Sequence, residues 1–463
     1  MHPIKKIEVD AKVTPHGIDV FVDRKRFSIR YPLHIWQRYG KGLKEILKEN
    51  VAVSSTLFIP QILNVREIHY NTSRPIAETF LFKNGLYDMA TSAHTDNASS
   101  VEYLKRFVNT VPIFANNKIK TPSLVRTGPQ RRNRKKIVIP FTFGKETLLT
   151  FAVAKELGLE PCLVYFIEPA HIYESFHKKK IAKQFEAETG IPVHMVAYGP
   201  GLIRYGRAWG INTELGWGLQ TTEYVLLALP FVNFYGADYI ALGNEQSCPE
   251  RVSVDTEGLL TYREAYDQYV DWTSQQSLLA TLLSGRKLQV ASFVEPLYEL
   301  AEMAILHGRY PHLAKFQMSC LANDKKAKHN RWCQNCDKCA FIYAFCAALR
   351  INPHSLGFTE NIFDANHAHL FKSFFNHTKD NYYGDSEIWL AFYLSLKNGW
   401  KGSTLSRFEK EMMPKFKKNK EKYLAELFNI QPSSNLPLEF RSKVLRIFET
   451  ELRDIRARLK KLL

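Results

Sequence analysis

The feature that most constrains the fold of this chain is an alternation of short apolar runs and longer amphipathic segments along residues 136–307. Continuous apolar runs of this length are typical of strands that are buried on both faces. The alternation therefore predicts an α/β fold with a doubly wound parallel sheet and right-handed crossovers. The predicted strands are 136–141, 161–167, 191–198, 237–243 and 288–294, and the predicted helices are 146–157, 171–188, 219–234 and 297–307.

A different pattern precedes this region. Apolar and polar residues alternate at 18–22 and again at 27–31, and the polar run between them predicts an antiparallel hairpin. Residues 118–136 carry eight basic side chains and no acidic one, together with two prolines and a glycine, which is typical of a linker. We therefore predict an N-terminal α+β domain with its linker at 1–135, followed by a separate α/β domain at 136–350.

Residues 351–463 predict a basic helical C-terminal region. Near its end, apolar residues recur at alternating spacings of three and four, which indicates a helix with one apolar stripe. The stripe is shorter than the roughly three heptads that a coiled coil needs. Docking onto the chain's own core is the favoured interpretation, and a homodimer through this helix is the alternative. The stripe consists of Leu445, Phe448, Leu452, Ile455, Leu459 and Leu462.

The net charge of +17 is distributed unevenly. Residues 151–300 carry 11 basic and 18 acidic side chains, whereas residues 401–463 carry 16 basic and 8 acidic ones. An acidic centre argues against a uniformly basic nucleic-acid-binding protein. The basic excess favours an anionic small-molecule substrate, which long-range electrostatics would attract. Nucleic acid is the alternative partner.

Three observations predict a cytoplasmic protein without membrane association. No stretch reaches the roughly 18 uninterrupted apolar residues that a membrane span needs. The N-terminal segment lacks the apolar core of a secretory signal. Five of the seven cysteines lie between Cys320 and Cys346, which indicates a metal site rather than a disulfide framework.

Four of these cysteines have the spacing C-x12-C-x2-C-x2-C: Cys320, Cys333, Cys336 and Cys339. Closely spaced cysteines bring several thiolates to one ion, and the more distant one completes a tetrahedron. The pattern therefore predicts a structural zinc site. An iron–sulfur cluster is the alternative because C-x2-C-x2-C also occurs there, although the ferredoxin continuation C-x3-C-P is missing.

The first predicted strand runs directly into the segment 142–147, TFGKET, which opens a helix. Free backbone N–H groups at a helix N-terminus bind anions. Gly144 permits close backbone approach, and Lys145 adds a cation. The segment is not a Walker A loop, because Glu146 follows the lysine where Ser or Thr is required. We therefore predict a phosphate-binding loop of another kind.

Polar side chains also follow the later strands. Asn244, Glu245 and Ser247 come after the fourth predicted strand, where they would contact substrate or magnesium. Arg204 lies in a glycine-rich loop after the third strand, where a guanidinium could hold a phosphate or carboxylate. Cys248, in the loop beyond Ser247, is a further candidate. A capped turn without a ligand is the structural alternative.

The segment 142–147 resembles the phosphate loop of the ATP pyrophosphatase (PP-loop) superfamily, Ser-Gly-Gly-x-Asp-Ser. Thr142 and Thr147 stand at the two Ser positions, Gly144 at the second Gly and Glu146 at Asp, while Phe143 replaces the first Gly. The resemblance implies an adenine nucleotide alpha-hydrolase-like fold that binds ATP with Mg²⁺. The ATP contacts that it implies are Thr142, Phe143, Gly144, Lys145, Thr147 and Glu168.

The motifs around the cysteines resemble the zinc-bearing branch of that superfamily. They are Glu-Pro-Leu at 295–297, Ser-Cys at 319–320, and Arg-Trp-Cys-x2-Cys-x-Lys-Cys-x-Phe at 331–341. Two families of the branch are similar: the cyano-deazaguanine synthases of queuosine biosynthesis and, more closely, the UDP-N-acetylmuramoyl-L-alanyl-L-glutamate epimerases of peptidoglycan synthesis. The resemblance covers residues 136–350.

Three functions are compatible with these observations. The first is an ATP-consuming enzyme that adenylates a carboxylate and epimerises the terminal glutamate of a nucleotide-linked peptide. Lys145 and Glu146 would then serve catalysis, and His171, with Cys248 as second choice, would be the base. The second is an ATP-dependent enzyme that modifies a nucleobase or tRNA. The third is a non-catalytic zinc module that binds nucleic acid, which the acidic centre disfavours.

Overall fold

The computed structural model describes residues 4–96, 98–123, 136–247, 252–254, 261–263, 266–322, 324–375 and 385–462. Ten strands form one sheet, and two short strands form a separate antiparallel pair. The strands are β1 (Ile4–Thr14), β2 (Gly17–Val22), β3 (Lys25–Arg30), β4 (Val65–Ser73), β5 (Val111–Asn116), β6 (Lys136–Pro140), β7 (Glu160–Ile167), β8 (Val193–Tyr198), β9 (Tyr239–Leu242), β10 (Val252–Val254), β11 (Thr261–Arg263) and β12 (Gln289–Ser292).

Helices fill most of the remaining described sequence. No helix in this part of the chain combines the length and the apolar composition needed to cross a bilayer. The helices are α1 (Leu33–Arg38), α2 (Lys41–Thr56), α3 (Ile59–Leu63), α4 (Glu78–Thr95), α5 (Ser100–Asn109), α6 (Lys145–Glu156), α7 (Ile172–Thr189), α8 (Gln220–Tyr235), α9 (Val270–Ser284), α10 (Glu299–Arg309), α11 (Pro311–Ala314), α12 (Asp337–Leu349), α13 (Pro353–Leu356), α14 (Asp385–Lys397), α15 (Ser403–Glu411), α16 (Met413–Lys417), α17 (Lys420–Leu427) and α18 (Leu438–Lys460).

The five strands that the alternating pattern predicted lie side by side in one half of the sheet. All are parallel, in the order β12-β9-β6-β7-β8, with the first of them in the chain at the centre. The direction of strand order reverses between β6 and β9. In open α/β sheets, ligands bind beyond the carboxyl ends of the strands at such a switch point. The predicted α/β class is confirmed, while the assignment to the PP-loop fold stays a prediction.

The N-terminal strands extend the same sheet beyond β8. β3 pairs antiparallel with β8, with Ile29 opposite Tyr198, and β2 and β3 form the predicted hairpin. The sheet continues through β2-β1-β4-β5 and is therefore mixed, although most of its pairs are parallel. The predicted N-terminal domain thus shares its sheet with residues 136–350, and the domain boundaries at 135 and 350 stay predictions.

Two apolar cores cover the two faces of the sheet. Because successive residues of a strand face opposite sides, Ile137 and Ile139 join one core and Val138 joins the other. The first core also contains α6, α7, α10, α12 and the C-terminal helices, and the second contains the N-terminal region with α8 and α9. The central strands are therefore held between the two flanking regions of the chain.

The apolar stripe of α18 packs into the first of these cores. Phe448 and Leu452 are fully buried, and Leu459 is 2% exposed. The favoured interpretation, docking onto the chain's own core, is confirmed. A homodimer through this helix stays a prediction, and it would have to use the exposed faces of α18.

Candidate functional site

The predicted phosphate loop lies at the carboxyl end of β6, beside the switch point. Gly144 is the residue before α6, which begins at Lys145. The Gly144 N–H lies 3.4 Å from the Thr142 hydroxyl, and the Thr147 hydroxyl donates to the Gly144 carbonyl at 3.3 Å. These contacts close the loop into a tight turn at the helix N-terminus, where backbone N–H groups and the helix dipole favour anions.

Phe143 has a left-handed backbone conformation, with a φ of +61°. A bulky residue rarely adopts this conformation, whereas glycine adopts it without strain. The backbone at this position is therefore one that a glycine would adopt without strain, although the residue is a phenylalanine. The ring is fully buried, 4.7 Å from the ring of Phe141 and 5.9 Å from that of Phe185 between centroids. Its packing compensates for the backbone strain.

Glu146 lies between the two loops that meet at the switch point. A Cβ added at Gly144 would lie 2.5 Å from a Glu146 carboxylate oxygen, and one added at Gly243, after β9, would lie 2.7 Å from the Glu146 Cβ. Gly243 is therefore required for this close packing, whereas a side chain at Gly144 would displace the Glu146 carboxylate. The Glu146 side chain remains 26% exposed, so its carboxylate is accessible from the mouth of the site.

The Lys145 ammonium is buried among carboxylates. Its Nζ contacts Glu146, lies 2.8 Å from Glu299 and 3.7 Å from Glu302, and its side chain is 2% exposed. Burial alone would lower the pKa of Lys145, but these carboxylates and that of Glu245 outweigh it and raise the pKa well above its usual value. The predicted contact between Lys145 and a phosphate would require the ammonium to leave this cluster.

Residues after β9 enter the same cluster, as their position in the sequence predicted. The Ser247 backbone N–H donates to the Glu245 carboxylate, and the Ser247 hydroxyl donates to Glu387 at 2.6 Å. The Asn244 amide donates to the Thr273 hydroxyl at 2.8 Å, and its predicted contact with substrate or magnesium stays a prediction. We call the following six side chains the switch-point cluster: Lys145, Glu146, Glu245, Glu299, Glu302 and Glu387.

The switch-point cluster holds one ammonium against five carboxyl groups. Glu302 is fully buried within the cluster. Neither of its carboxylate oxygens has a hydrogen-bond partner in the described part of the chain. Burial raises the pKa of Glu302 well above its usual value, although Lys145 opposes the shift. These carboxyl groups do not converge tightly enough to form a metal site of three or more ligands. Within the cluster, the buried Glu302 therefore favours its protonated form.

The remaining predicted residues form a second buried cluster, beyond the carboxyl ends of β7 and β8. Arg204 donates to Glu223 at 2.6 Å and to Glu168 at 3.1 Å, and the Tyr205 hydroxyl lies 3.1 Å from Nε2 of His171. Arg204 is 4% exposed. Its predicted contact with a phosphate or carboxylate, and the predicted contact of Glu168 with ATP, would therefore require this ion pair to open.

Glu223 belongs to this cluster although the sequence did not single it out. Burial raises the pKa of Glu223 to about 7, and the neighbouring Arg204 guanidinium limits the shift. The second oxygen of Glu168 has no hydrogen-bond partner among the described residues. A Cβ at Gly201 would lie 2.3 Å from that oxygen, so a larger residue here would displace the Glu168 carboxylate.

The four predicted cysteines converge. Their Sγ atoms all lie within 4.8 Å of one another, with 3.9 Å between Cys320 and Cys336 and 3.8 Å between Cys333 and Cys339. Four sulfurs about 2.3 Å from one zinc ion would be about 3.8 Å apart in a tetrahedron. In an iron–sulfur cluster the four thiolates are distributed over two or more irons, so they cannot all lie this close together. The spacing therefore fits a single ion such as zinc.

Backbone N–H groups support thiolates at this site. Ala322 and Cys333 donate to the sulfur of Cys320 at 3.1 and 3.3 Å, and Gln334 donates to that of Cys339 at 3.3 Å. Ala322 and Gln334 have left-handed backbones that turn these amides toward the sulfurs. Sulfur contacts lower the pKa of the Cys333 thiol well below its usual value, while contacts with Cys333 and Cys336 raise the pKa of Cys320 and burial raises that of Cys339. A bound metal ion would hold the ligating thiols in their deprotonated form.

Sequence reasoning missed three members of the switch-point cluster. Glu299 and Glu302 lie in the first turn of α10, after the last central strand, and that position could have drawn attention to them. Glu387 comes from α14, and no local pattern connects it with Ser247, 140 residues earlier. Cys248 lies outside the described residues, so its predicted role stays untested.

The comparisons with known proteins add no assignment. No protein-family model matches the chain, and no curated protein matches it significantly.

Proposed function

We propose that this chain is an ATP-dependent enzyme that joins a substrate carboxylate to AMP and releases pyrophosphate. The observation that carries the proposal is the loop 142–147 at the switch point, with its glycine-like turn at Phe143 and Gly144 before α6. A loop of this kind offers backbone N–H groups to phosphate oxygens. The loop follows β6 on one side of the switch point, so the space beyond the carboxyl end of β9 remains for the substrate.

Loop amides would carry most of the phosphate contacts, because Lys145 is engaged with carboxylates. Mg²⁺ in nucleotide sites usually takes one or two protein carboxylates together with phosphate oxygens. Glu146 fits this requirement, since it is the partly exposed carboxylate of the loop. When bound with ATP, the ion would supply positive charge to the pyrophosphate leaving group. Thr142 and Thr147 would add hydroxyl donors to the same group.

The favoured substrate is the terminal glutamate of UDP-N-acetylmuramoyl-L-alanyl-L-glutamate. A carboxylate oxygen attacks the α-phosphorus of ATP, the bond to pyrophosphate breaks, and an acyl adenylate forms. Loss of the carboxylate charge makes the adjacent C–H more acidic, so a base can remove the proton and it can return on the opposite face. Water then hydrolyses the adenylate to the inverted acid and AMP. Such chemistry would take place in the cytoplasm.

His171 is the proposed base. It lies beyond the carboxyl end of β7 at the start of α7, and the Tyr205 hydroxyl contacts its Nε2. A hydrogen bond of this kind fixes the orientation of an imidazole ring, which supports a role in proton transfer. Cys248 remains the second choice.

A nucleobase- or tRNA-modifying enzyme is the second candidate function. It would share the loop and the cysteine site, and the exposed lysines of the C-terminal region favour it. Lys415, Lys417 and Lys418 lie on or directly after α16 and are all exposed to solvent. Basic surfaces of this kind bind the phosphates of RNA.

Product analysis tests the proposal. Purified protein is incubated with ATP, Mg²⁺ and either the UDP-linked dipeptide or a deazaguanine carboxylic acid, with the Gly144→Val variant as the control for the loop. We expect AMP and pyrophosphate with the UDP-linked dipeptide and no product with the variant. Turnover only with the deazaguanine acid would support the second candidate. ADP as product would contradict adenylation.

A further inference from the structure

The C-terminal region contributes a buried carboxyl group to the switch-point cluster. Glu387 is the third residue of α14 and is 3% exposed. It lies beyond residue 350, where the resemblance to known families ends. Its side chain nonetheless contacts two elements of the central region, the loop after β9 and the first turn of α10.

Both oxygens of Glu387 accept hydrogen bonds from these elements. Oε2 accepts from the Ser247 hydroxyl at 2.6 Å, and Oε1 accepts from the Leu300 backbone N–H at 2.9 Å. The Ser247 hydroxyl in turn accepts from the Glu299 backbone N–H at 3.2 Å. One side chain thereby ties together the segments that carry Glu245, Glu299 and Glu302.

We propose that Glu387 is a positioning residue of the candidate active site: it fixes the loop after β9 and the first turn of α10 beside Lys145. This role rests on the proposed function only in the turnover measurement, because the hydrogen bonds of Glu387 are independent of that function. Glu387 belongs to the C-terminal region, for which the sequence predicted only a basic helical structure. The C-terminal region would then be required for the site to have its native geometry.

The charges around Glu387 indicate the protonation state in which it acts. The loop after β9 presents Glu245, α10 presents Glu299 and Glu302, and α6 presents Lys145 and Glu146. Burial raises the pKa of Glu387 to about 8, with Glu299 and Glu245 adding to the shift and the Ser247 hydrogen bond opposing it. Glu387 therefore remains neutral at neutral pH, and its ionisation would introduce repulsion within the cluster.

Three variants separate this role from a general effect on folding. Glu387→Gln reproduces the neutral carboxyl and keeps an acceptor oxygen, whereas Glu387→Ala removes both hydrogen bonds. Glu409→Gln, on the exposed surface of α15, is the matched control for loss of one carboxylate. Amide hydrogen exchange is measured for residues 244–247 and 299–302, together with the thermal midpoint at two pH values.

We expect faster exchange in both segments for Glu387→Ala, a smaller effect for Glu387→Gln, which keeps one of the two acceptor oxygens, and native exchange for the control. A carboxyl whose pKa is raised on folding destabilises the fold as the pH rises toward that pKa. Glu387→Gln should therefore raise the thermal midpoint relative to the parent at about pH 8.5 more than at about pH 5. Unchanged exchange in Glu387→Ala, or the same midpoint difference at both values, would overturn the proposal.

Turnover provides the link to the proposed function. For Glu387→Ala we expect ATP to bind within a few-fold of the parent affinity, while AMP formation at saturating substrate falls by about 100-fold, the effect of a small misplacement of reacting groups. Equal losses in Glu387→Ala and Glu409→Gln would overturn the positioning role. Absence of AMP formation in the parent protein would count against the proposed function alone, because hydrogen exchange and the pH series test Glu387 independently of it.

Discussion

The backbone N–H of Met318 donates a hydrogen bond of 2.8 Å to the carbonyl of Phe143. Phe143 is the left-handed residue of the predicted phosphate loop, and Met318 lies two residues before Cys320 of the cysteine site. In addition, Phe316 packs against Phe185, which packs against Phe143, with centroid distances of 5.2 and 5.9 Å. The segment that the cysteines anchor therefore also holds the loop in its conformation.

Loss of the metal is expected to affect both sites. We predict about one zinc ion per chain in the purified protein, and that Cys336→Ser lowers zinc content, soluble yield and ATP affinity together. Cys346→Ala is the matched control, because Cys346 is buried in α12 but lies outside the group of four cysteines. Elemental analysis and calorimetry with ATP provide the measurements. Iron with inorganic sulfide, or Cys336→Ser protein with full zinc content, would contradict the site.

Replacing Phe143 by glycine should lower the stability of the fold but leave the ATP affinity of the loop nearly unchanged. The substitution removes a fully buried ring, which costs about 3–5 kcal/mol, and relieves a left-handed backbone worth about 1–3 kcal/mol. We expect a net loss of about 2 kcal/mol in the free energy of unfolding, with ATP affinity close to that of the parent. Urea unfolding and calorimetry distinguish the two effects. A loss of ATP binding in a folded Phe143→Gly variant would show that the ring, and not the backbone, serves the nucleotide.

Gly144→Val should abolish ATP binding while the protein remains folded. The added Cβ would meet a Glu146 carboxylate oxygen at 2.5 Å and the Thr142 hydroxyl at 3.3 Å, and the branched side chain would extend farther into the space for phosphate. The matched control is Gly42→Ala, which lies in α2 and has open space around the new Cβ. Gly158→Ala is not used, because the positive φ of Gly158 would strain an alanine. Parental ATP affinity in Gly144→Val would refute the loop assignment.

Stability should decline as the pH rises from about 4 to about 7, partly because of Asp88. Burial raises the pKa of Asp88 to about 7, so the folded state retains a proton that the unfolded state loses at about pH 4. The retained proton therefore contributes its full stabilisation below the pKa that Asp88 has in the unfolded state. This contribution decreases as the pH approaches the pKa that Asp88 has in the folded state. Asp88→Asn, which keeps an acceptor for the Gly218 N–H, should flatten this dependence. An unaltered slope in chemical denaturation would show that Asp88 is ionised when folded.

Local periodicity predicted the central strands closely because each run is apolar and each following helix starts near a polar turn. The strand predicted at 161–167 spans Glu160–Ile167, and the helix predicted at 146–157 spans Lys145–Glu156. The cysteine spacing was equally informative, since four thiolates in one short region have few other arrangements. Local patterns could not provide the pairing of β3 with β8, because the paired residues, Ile29 with Tyr198 and Arg30 with Ala197, are 169 and 167 positions apart in the chain.

The direction of charged side chains was the least predictable feature. A lysine at a helix N-terminus predicts a phosphate ligand. Lys145 instead points toward Glu299 and Glu302, because a buried ammonium needs nearby carboxylates. Arg204 is likewise paired with Glu168 and Glu223. Such pairings join residues on different elements, and only the folded chain brings them together.

Deuterium incorporation tests the central claim most directly. The protein is incubated with ATP, Mg²⁺ and UDP-N-acetylmuramoyl-L-alanyl-L-glutamate in deuterated water, and the glutamate α-carbon is examined by mass spectrometry and NMR. Proton removal from an acyl adenylate predicts deuterium at that carbon, inversion of its configuration and formation of AMP, with all three lost in Gly144→Val. ATP-dependent turnover without deuterium at the α-carbon, or with ADP as the product, would contradict the account.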